Sequence, residues 1–322
     1  MIDVLAIGEL LIDFSEEGKN KDNYSILSGH PGGAPANFLA PLSKFGLKTS
    51  LISNVGDDAF GRELVKTLKD LNIGTSNISF DKDAFTTLAF VTLDDKGDRS
   101  FSFSRKPGAD TRIRYSNINI KEIDNCKVFH FGTLSLTSNP SKQTTYKLAS
   151  YAKRKGKIIS FDPNLREALW PNLKDAKEQM IYGLKNADIV KISDNEVKFL
   201  FNKNPRESID YLLKKYPNIK LLYVTCGAKG CYFSTRKYKG FVPSLKGISV
   251  IDTTGAGDIF GGSAMYKFLS FKKDIDKLQE NDLYEIVKFA TVSAGLSTTK
   301  NGGIKSVPAY KDVMKIYKRM EK

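Results

Sequence analysis

The 322-residue chain contains only three cysteines, and no two of them form a CxxC motif. An odd number of cysteines without that spacing argues against a disulfide framework or a zinc site and favours a reducing compartment. No apolar stretch approaches the roughly 18 residues that a membrane-spanning helix needs. The N-terminal segment MIDVLAIGELLIDF also lacks the basic start of a signal peptide. We therefore expect a cytoplasmic protein with no membrane partner.

Histidine is also scarce, with two residues. Lysine and arginine, in contrast, outnumber the acidic residues and give a formal net charge of +14. Such a charge is compatible with a nucleic acid-binding protein, whose affinity would fall steeply with salt. The lysines are however spread along the chain, and there is no arginine-rich tract and no run of alternating basic and aromatic residues. A lysine-rich solvated surface is therefore the preferred interpretation, with no nucleic acid partner.

Short β-branched runs alternate with longer amphipathic segments along most of the chain. Because the runs are almost continuously apolar, they indicate strands buried on both faces of a parallel sheet. The predicted strands are 3–8, 49–56, 126–132, 156–162, 187–193, 220–227 and 248–253. The predicted helices are 34–45, 58–71, 141–155, 173–185, 194–201, 206–215 and 258–269. This alternation indicates βαβ units and a three-layer α/β fold.

Two segments interrupt the alternation. Residues at about 9–31 are mixed polar and strand-like, and residues at about 86–111 contain two alternating strands joined by a DDKGD turn. Both resemble antiparallel strands inserted into the α/β pattern, where they would form a small β lid. Because no linker, repeat or low-complexity tract is present, residues 1–322 are predicted to form a single domain that carries this lid.

Two glycine-bearing segments precede predicted helices. In GHPGGAPANFLAPLSKFG (29–46), Gly32 and Gly33 would let a polar ligand approach the backbone N–H groups at a helix start. Asn37 would lie in the first turn, within reach of a hydroxyl group. The residues alone fit an ordinary turn and helix start equally well. DTTGAGDIFGG (252–262) repeats this layout after an apolar run, which is typical of an anion-binding loop.

Known phosphate-binding patterns do not account for the second segment. The chain has no GxxxxGK[ST] loop and no protein kinase HRD or DFG signature. A dinucleotide fingerprint needs GxGxxG early in a βαβ unit, whereas here the spacing is GxGxxxG and Asp258 would face the pyrophosphate. Phosphoryl transfer from ATP needs donors for the γ-phosphate and a base for the attacking hydroxyl. The amides of residues 255–257 can supply the donors and Asp258 the base, whereas His130 lies within an apolar strand.

Together, the two segments closely resemble the signatures of the ribokinase-like (PfkB) carbohydrate kinases. Counterparts of the other family motifs follow in family order: GELLIDF (8–14), VGDDAFG (55–61), FDPNLR (161–166), KISDNE (191–196), VTCGAKG (224–230) and NGGIKSVP (301–308). PGGAPAN, SFSFSRKPGAD and DPNLREALWPN resemble the fructokinase branch in particular. The resemblance implies a ribokinase-like three-layer α/β/α fold with a mostly parallel central sheet. It also implies an ATP:sugar phosphotransferase acting on the C6 hydroxyl of D-fructose. The alternatives are ribokinase, 2-keto-3-deoxygluconate kinase and aminoimidazole riboside kinase.

The resemblance also implies roles for individual residues. Asp258 would be the general base, and the residues of the phosphoryl-transfer centre would be Gly255, Ala256, Gly257 and Arg166. The sugar would be bound by Asp13, Gly32, Gly33, Asn37 and Arg105, with Asp110 in the same lid element as Arg105. The nucleotide would be bound by Lys191, Thr225, Gly227, Gly230, Gly255 and Gly257.

The resemblance further implies that Mg²⁺ and K⁺ accompany ATP. Glu196 resembles the acidic residue that organises Mg²⁺ through water, although Ser193 stands where the family usually has asparagine. The implied potassium site consists of Asp252, Thr254, Ser297, Gly302 and Ser306. The expected partners are a small sugar and ATP, and a homodimer joined through the lids is expected because lid strands would otherwise expose their edges.

Overall fold

The computed structural model describes residues 1–93 and 99–319, so the DDKGD turn at 94–98 lies outside the described residues. The strands are β1 (Ile2–Ile7), β2 (Leu11–Lys19), β3 (Ser25–Gly32), β4 (Thr49–Gly56), β5 (Ile73–Asp81), β6 (Leu88–Leu93), β7 (Arg99–Ser104), β8 (Cys126–Gly132), β9 (Ile158–Asp162), β10 (Ile189–Ser193), β11 (Leu221–Thr225), β12 (Gly230–Ser234) and β13 (Lys239–Pro243). The helices are α1 (Ala34–Lys44), α2 (Ala59–Asp70), α3 (Lys121–Asp124), α4 (Ser141–Arg154), α5 (Leu173–Asn186), α6 (Asp194–Phe201), α7 (Pro205–Lys215), α8 (Ala256–Ser270), α9 (Glu280–Ser297) and α10 (Tyr310–Arg319). Within these ranges, no helix combines the length and the apolar character that crossing a membrane requires.

The central sheet has nine strands in the order β13-β12-β11-β10-β9-β8-β1-β4-β5. The strands from β11 to β5 run parallel, whereas β12 and β13 are antiparallel additions at one edge. After β1, the chain adds β4 and β5 on one side of β1. It then returns to the other side, where β8 pairs with β1 and the later strands are added in order from β9 to β13. In open α/β sheets such a reversal leaves a crevice at the carboxyl ends of the strands, where ligands bind.

The two faces of the central sheet carry separate layers of helices. On β1, Val4 and Ala6 belong to a buried cluster with side chains of α1, α2, α8 and α9. Leu5 and Ile7 point to the other face and join side chains of α4, α5 and α7. Each fully buried side chain of this size contributes about 1.5–3 kcal/mol, apart from the smaller alanine. The predicted three-layer α/β/α fold with a mostly parallel sheet is confirmed.

The predicted elements correspond closely to those observed, with one exception. All seven predicted helices and six of the seven predicted strands appear within two residues of the expected bounds. The strand predicted at 248–253 is wrong, because this segment is irregular. The N–H groups of Ile251 and Asp252 donate to the carbonyl of Thr298 (2.8 and 3.1 Å) rather than to a strand. Val250 and Ile251 are 59% and 61% exposed, so their apolar character did not signal burial in a sheet.

A second sheet contains the strands of the two interrupting segments, in the order β3-β2-β6-β7. β2 pairs antiparallel with β3 and parallel with β6, and β7 pairs antiparallel with β6. This sheet is called the lid sheet below. It connects directly to the site, because β3 ends at Gly32 and α1 begins at Ala34. That the sheet closes over a ligand, and that the chain is one domain, remain predictions.

Asp58 links the lid sheet to the central sheet. It caps the N-terminus of α2 by accepting a hydrogen bond from Gly61 N (2.8 Å). The same carboxylate accepts hydrogen bonds from the backbone N–H (2.8 Å) and the hydroxyl (2.9 Å) of Thr86, just before β6. The Thr86 hydroxyl in turn accepts the N–H of Gly56 at the end of β4 (3.0 Å). One carboxylate therefore joins a helix, the central sheet and the entry to the lid.

We predict that Asp58→Ala lowers the free energy of unfolding by roughly 2–3 kcal/mol, because it removes a helix cap worth about 1 kcal/mol and leaves the Thr86 donors unpaired. Asn172→Ala is the matched control, since Asn172 caps α5 through Asp175 N (2.9 Å) without a link to another sheet. It should cost only about 1 kcal/mol. Urea unfolding measures both variants, and equal losses would show that the Thr86 contacts add no stability.

Candidate active site

Asp258 stands in the first turn of α8. This helix begins after Gly255, whose φ of 72° lies in the left-handed region that glycine adopts without strain. At a helix start, the dipole favours a negative charge and N–H groups lack intrahelical partners. The Oδ2 atom of Asp258 accepts a hydrogen bond from Asn37 Nδ2 at 3.0 Å, and the side chain is only 7% exposed. The structure thus joins the two glycine-bearing segments through one side-chain contact.

The surroundings of Asp258 shift its proton affinity. Burial is the largest influence and raises the pKa of the carboxyl group. The positive charge of Lys191, the Asn37 hydrogen bond and the charge of Arg166 oppose that rise, whereas Glu196 adds to it. The carboxylate therefore binds a proton more readily than an exposed aspartate does, which suits a general base.

A side chain at Gly255 or Gly257, at the start of α8, would be crowded by its neighbours. A Cβ atom on Gly255 would lie 3.0 Å from Asn37 Nδ2 and from the Gly303 Cα atom. A Cβ atom on Gly257 would lie 3.1 Å from Lys191 Nζ. Residues 255–257 are thus packed between the α1 amide, the C-terminal loop and a lysine. The same residues line the two cavities described below, so the backbone at the helix start is open to a negatively charged ligand.

A cavity of about 790 Å³ opens in front of Asp258. Six of the residues predicted to bind sugar or phosphate line it: Asp13, Gly33, Asn37, Arg166, Gly255 and Asp258. Gly32 lies behind Asp13, because a Cβ atom there would be 2.1 Å from Asp13 Oδ2. Burial raises the pKa of Asp13 to about 7, with Arg166 opposing the rise and Asp258 and Asp252 adding to it. The cavity is therefore lined by groups that hydrogen-bond hydroxyls.

Arg105 is placed differently from the other predicted sugar ligands. Its guanidinium group forms a buried ion pair with Asp110, through Nε at 2.9 Å and through Nη2. It also donates to the Thr137 hydroxyl (2.9 Å) and to the Leu134 carbonyl (3.0 Å). The side chain lies outside the lining of the 790 Å³ cavity. In this conformation Arg105 fixes the base of the lid sheet, and contact with a sugar remains a prediction.

Glu9 lines the cavity but was not among the predicted site residues. It lies two residues after the end of β1, and its Oε1 atom accepts a hydrogen bond from Ala34 N at 2.7 Å, at the start of α1. Burial raises its pKa to about 7. The available sequence signal was an acidic residue immediately after a buried strand, at the carboxyl edge where sites form.

His130 is a packed core residue, as its apolar surroundings suggested. Its ring stacks on Phe38 with centroids 3.7 Å apart, and Nδ1 lies 3.0 Å from the Ser160 hydroxyl. Burial lowers its pKa to about 3, with Lys191 adding to the effect. The imidazole therefore stays neutral within the core, and the role of Asp258 as the base remains a prediction.

A second cavity, of about 450 Å³, lies on the other side of the loop that precedes α8. Four predicted nucleotide-binding residues line it: Thr225, Gly227, Gly230 and Gly257. The remaining wall is largely apolar and is formed by side chains such as Leu245, Ile248 and Val250. Lys191 stands beside Gly257 and forms an ion pair with Asp162 at 2.9 Å. The two cavities meet at the residues that would hold a transferring phosphoryl group.

Glu196 is fixed by backbone contacts. Its Oε1 atom accepts the N–H of Leu165 and its Oε2 atom accepts the N–H of Ser193, both at 2.8 Å. The Ser193 hydroxyl accepts the N–H of Glu196 (3.3 Å), so the two residues form a capping box at the start of α6. The substitution of serine for the usual asparagine therefore keeps a capped helix start. Among the described residues, no three His, Cys, Asp or Glu side chains are grouped closely enough to hold a metal ion directly.

Asp252 organises the loop that faces the C-terminal segment. Its Oδ1 atom accepts the N–H (2.9 Å) and the hydroxyl (2.7 Å) of Thr254, and its Oδ2 atom accepts the N–H of Gly302 (2.8 Å). The buried hydroxyls of the two predicted serine ligands bond locally, Ser297 to the Ala294 carbonyl and Ser306 to the Gly303 carbonyl, each at 2.7 Å. Asp252, Thr254 and Gly302 thus form one group, whereas Ser297 and Ser306 stabilise the flanking turns.

Comparison with known proteins identifies the family of the chain. Residues 1–310 match the family described as pfkB family carbohydrate kinase. The chain belongs to the pfkB family. Fructokinase-1 of Zea mays is 38% identical to this chain over 320 residues, which cover 98% of each chain. Among solved structures, fructokinase from Xylella fastidiosa with bound ATP has a TM-score of 0.90 at 29% identity and 99% coverage of both chains. A fructokinase double mutant from Vibrio cholerae O395, with bound fructose, ADP and a potassium ion, has a TM-score of 0.85 at 29% identity and 98% coverage of both.

We predict that Gly255→Ala lowers the rate of ATP-dependent sugar phosphorylation by about 10²-fold, the scale of losing one oxyanion donor, because its Cβ atom would displace the loop from Asn37 and Gly303. Gly156→Ala is the matched control. Gly156 has a similar φ of 68° and would meet nothing within 4 Å, so it imposes comparable backbone strain far from the site. Equal activities of the two variants would contradict the role of the crowded loop.

Proposed function

We propose that this pfkB family member is an ATP-dependent fructokinase, which transfers the γ-phosphoryl group of ATP to the C6 hydroxyl of D-fructose. The observation that carries the proposal is the position of Asp258, at the helix start where a hydroxyl-binding cavity meets a nucleotide-sized cavity. Full-length similarity to fructokinases supports the choice of sugar within the family.

In the proposed reaction, Asp258 accepts the proton of the C6 hydroxyl as its oxygen attacks the γ-phosphorus. The amides of Gly255, Ala256 and Gly257 receive the negative charge on the transferring phosphoryl oxygens. Arg166 supplies a guanidinium group suited to phosphate oxygens. Because protonation removes the base, turnover should fall as the pH drops through the pKa of Asp258.

The sugar is held, in this proposal, by the groups that surround the 790 Å³ cavity. Asp13 and Asn37 offer oxygen and nitrogen atoms for the remaining hydroxyls, and Gly32 and Gly33 allow close approach to the backbone at the start of α1. The buried Arg105–Asp110 pair would hold the lid sheet in register over the sugar.

ATP would occupy the 450 Å³ cavity, with its phosphates directed towards Lys191 and the 255–257 loop. Mg²⁺ would neutralise phosphate charge; Glu196, whose oxygens already accept two backbone N–H groups, suits binding through retained water molecules. We place K⁺ in the loop that contains Asp252, Thr254 and Gly302, with Ser297 and Ser306 on the turns beside it. The fructokinase double mutant from Vibrio cholerae O395 has a bound potassium ion, which supports the use of K⁺.

The lid sheet is the proposed dimer interface. Tyr24, Ile26 and Leu27, on and just before β3, expose 73%, 47% and 43% of their surface. Exposed apolar side chains on an edge strand favour pairing with another surface, and a second copy of the chain would cover them. The scarcity of cysteine and the ATP requirement support a cytoplasmic location.

We predict that, in assays with ATP and Mg²⁺, fructose gives the highest kcat/KM among fructose, ribose, 2-keto-3-deoxygluconate and aminoimidazole riboside. The reason is the similarity to fructokinases combined with the hydroxyl-binding cavity. Faster phosphorylation of another sugar or nucleoside would replace fructokinase with that member of the family.

Two variants control this assay. Asp258→Asn should lower turnover of fructose by at least ~10²-fold, the usual scale for a general base, while ATP still binds. Asp282→Asn alters a similarly buried aspartate in the first turn of another helix, α9, and should leave turnover near that of the parent chain. A fully active Asp258→Asn variant would place the base elsewhere.

A further inference from the structure

A buried ion pair joins Asp162, at the end of β9, to Lys191, in the middle of β10, beneath the phosphate-binding loop. Lys191 Nζ lies 2.9 Å from Asp162 Oδ2 and 3.2 Å from Asp162 Oδ1, and the two side chains are 12% and 8% exposed. The ammonium group also borders the loop, since a Cβ atom on Gly257 would be 3.1 Å from Nζ. The reaction proposed above gives Asp162 no role.

Charged groups face Asp258 from several elements. The positive groups are Lys191 on β10 and Arg166 after β9, and the negative groups are Asp13, Asp162 and Glu196. Three carboxylates, those of Asp162, Glu196 and Asp258, therefore share the nearby Lys191 ammonium group. Burial alone would lower the pKa of Lys191, but these carboxylates outweigh burial and raise it, so the lysine stays charged.

Both oxygens of Asp162 hold this ammonium group, whereas those of Glu196 are fixed by backbone N–H groups. The Asp258 carboxylate has its own hydrogen bond to Asn37. Of the three carboxylates, Asp162 is therefore the one that pairs with Lys191. A general base engaged directly by an ammonium group would accept a proton less readily, because its pKa would fall further.

We propose that Asp162 is a positioning residue, which holds the Lys191 ammonium group beside the Gly257–Asp258 turn and prevents it from pairing directly with Asp258. This inference rests on the proposed role of Asp258 as the base. Lys191 then acts on Asp258 from a fixed place: it favours the ionised carboxylate without occupying the oxygen that must receive the proton. The same charge borders the loop that receives the phosphoryl group.

The test is the pH dependence of kcat for fructose in variants of the full-length protein. Lys191→Met removes a positive charge near Asp258. The acid limb of the profile, where kcat falls as the pH drops, should therefore move to higher pH by about one unit. Asp162→Asn frees the ammonium group to pair with Asp258, so the acid limb should move to lower pH and kcat should fall. Lys191→Arg keeps the charge and should keep the acid limb close to that of the parent chain.

The double variant Lys191→Met with Asp162→Asn keeps the proposal testable if Asp162→Asn alone fails to fold, because removing both partners leaves no unpaired buried charge. If Asp162 acts through Lys191, the double variant has the acid limb of Lys191→Met. An acid limb midway between the parent and that variant would show an independent charge effect and overturn the proposal. Lys220→Met, which breaks the exposed Lys220–Asp276 pair (2.9 Å), is the matched control and should leave the acid limb and kcat unchanged.

Two further outcomes are decisive. Lower kcat with unmoved acid limbs in both single variants would reduce the ion pair to a structural role and overturn the proposal. Single variants that move the limb in the same direction would also overturn it. A failure of the proposed function is distinguishable, because Asp258→Asn would then remain active or fructose would not be phosphorylated by the parent chain.

Discussion

The hydrogen bond between Asn37 and Asp258 is the contact on which the site depends. It joins the first turns of α1 and α8, which are 221 residues apart in sequence. The helices can approach because glycines stand where they meet: a Cβ atom on Gly262 would lie 2.0 Å from the Phe38 carbonyl oxygen, and one on Gly303 would lie 2.3 Å from Asn37 Oδ1. Close packing of two helix starts thus places a carboxylate, an amide and a phosphate-binding loop together.

The rest of the molecule holds those two helix starts in place. α1 follows the lid sheet through Gly32 and Gly33, and its first N–H group donates to Glu9, just after β1. α8 follows the loop that Asp252 organises against Gly302. The charges of Lys191 and Arg166 oppose the rise in the pKa of Asp258 that burial causes. Lid, central sheet and C-terminal loop therefore converge on one carboxylate.

Much of this arrangement could be predicted from the sequence. Continuous apolar runs such as 126–132 identified the parallel strands, and the glycines before Asn37 and Asp258 identified both halves of the site. Side-chain pairings left no signal in the sequence. Asp162 looked like a strand end, and Arg105 and Asp110 looked like lid residues open to a sugar rather than partners in a buried ion pair. The run at 248–253 misled because its apolar side chains face the nucleotide-sized cavity or solvent instead of a sheet.

The central claim is that Asp258 takes the proton of the hydroxyl that receives the phosphoryl group. A crystal structure with fructose and a non-hydrolysable ATP analogue tests it most directly. The account predicts the C6 oxygen within about 2.6–3.2 Å of an Asp258 carboxylate oxygen, in line with a γ-phosphorus held by the 255–257 amides. A C6 oxygen that instead faces Asp13 or Glu9, out of reach of Asp258, would contradict it.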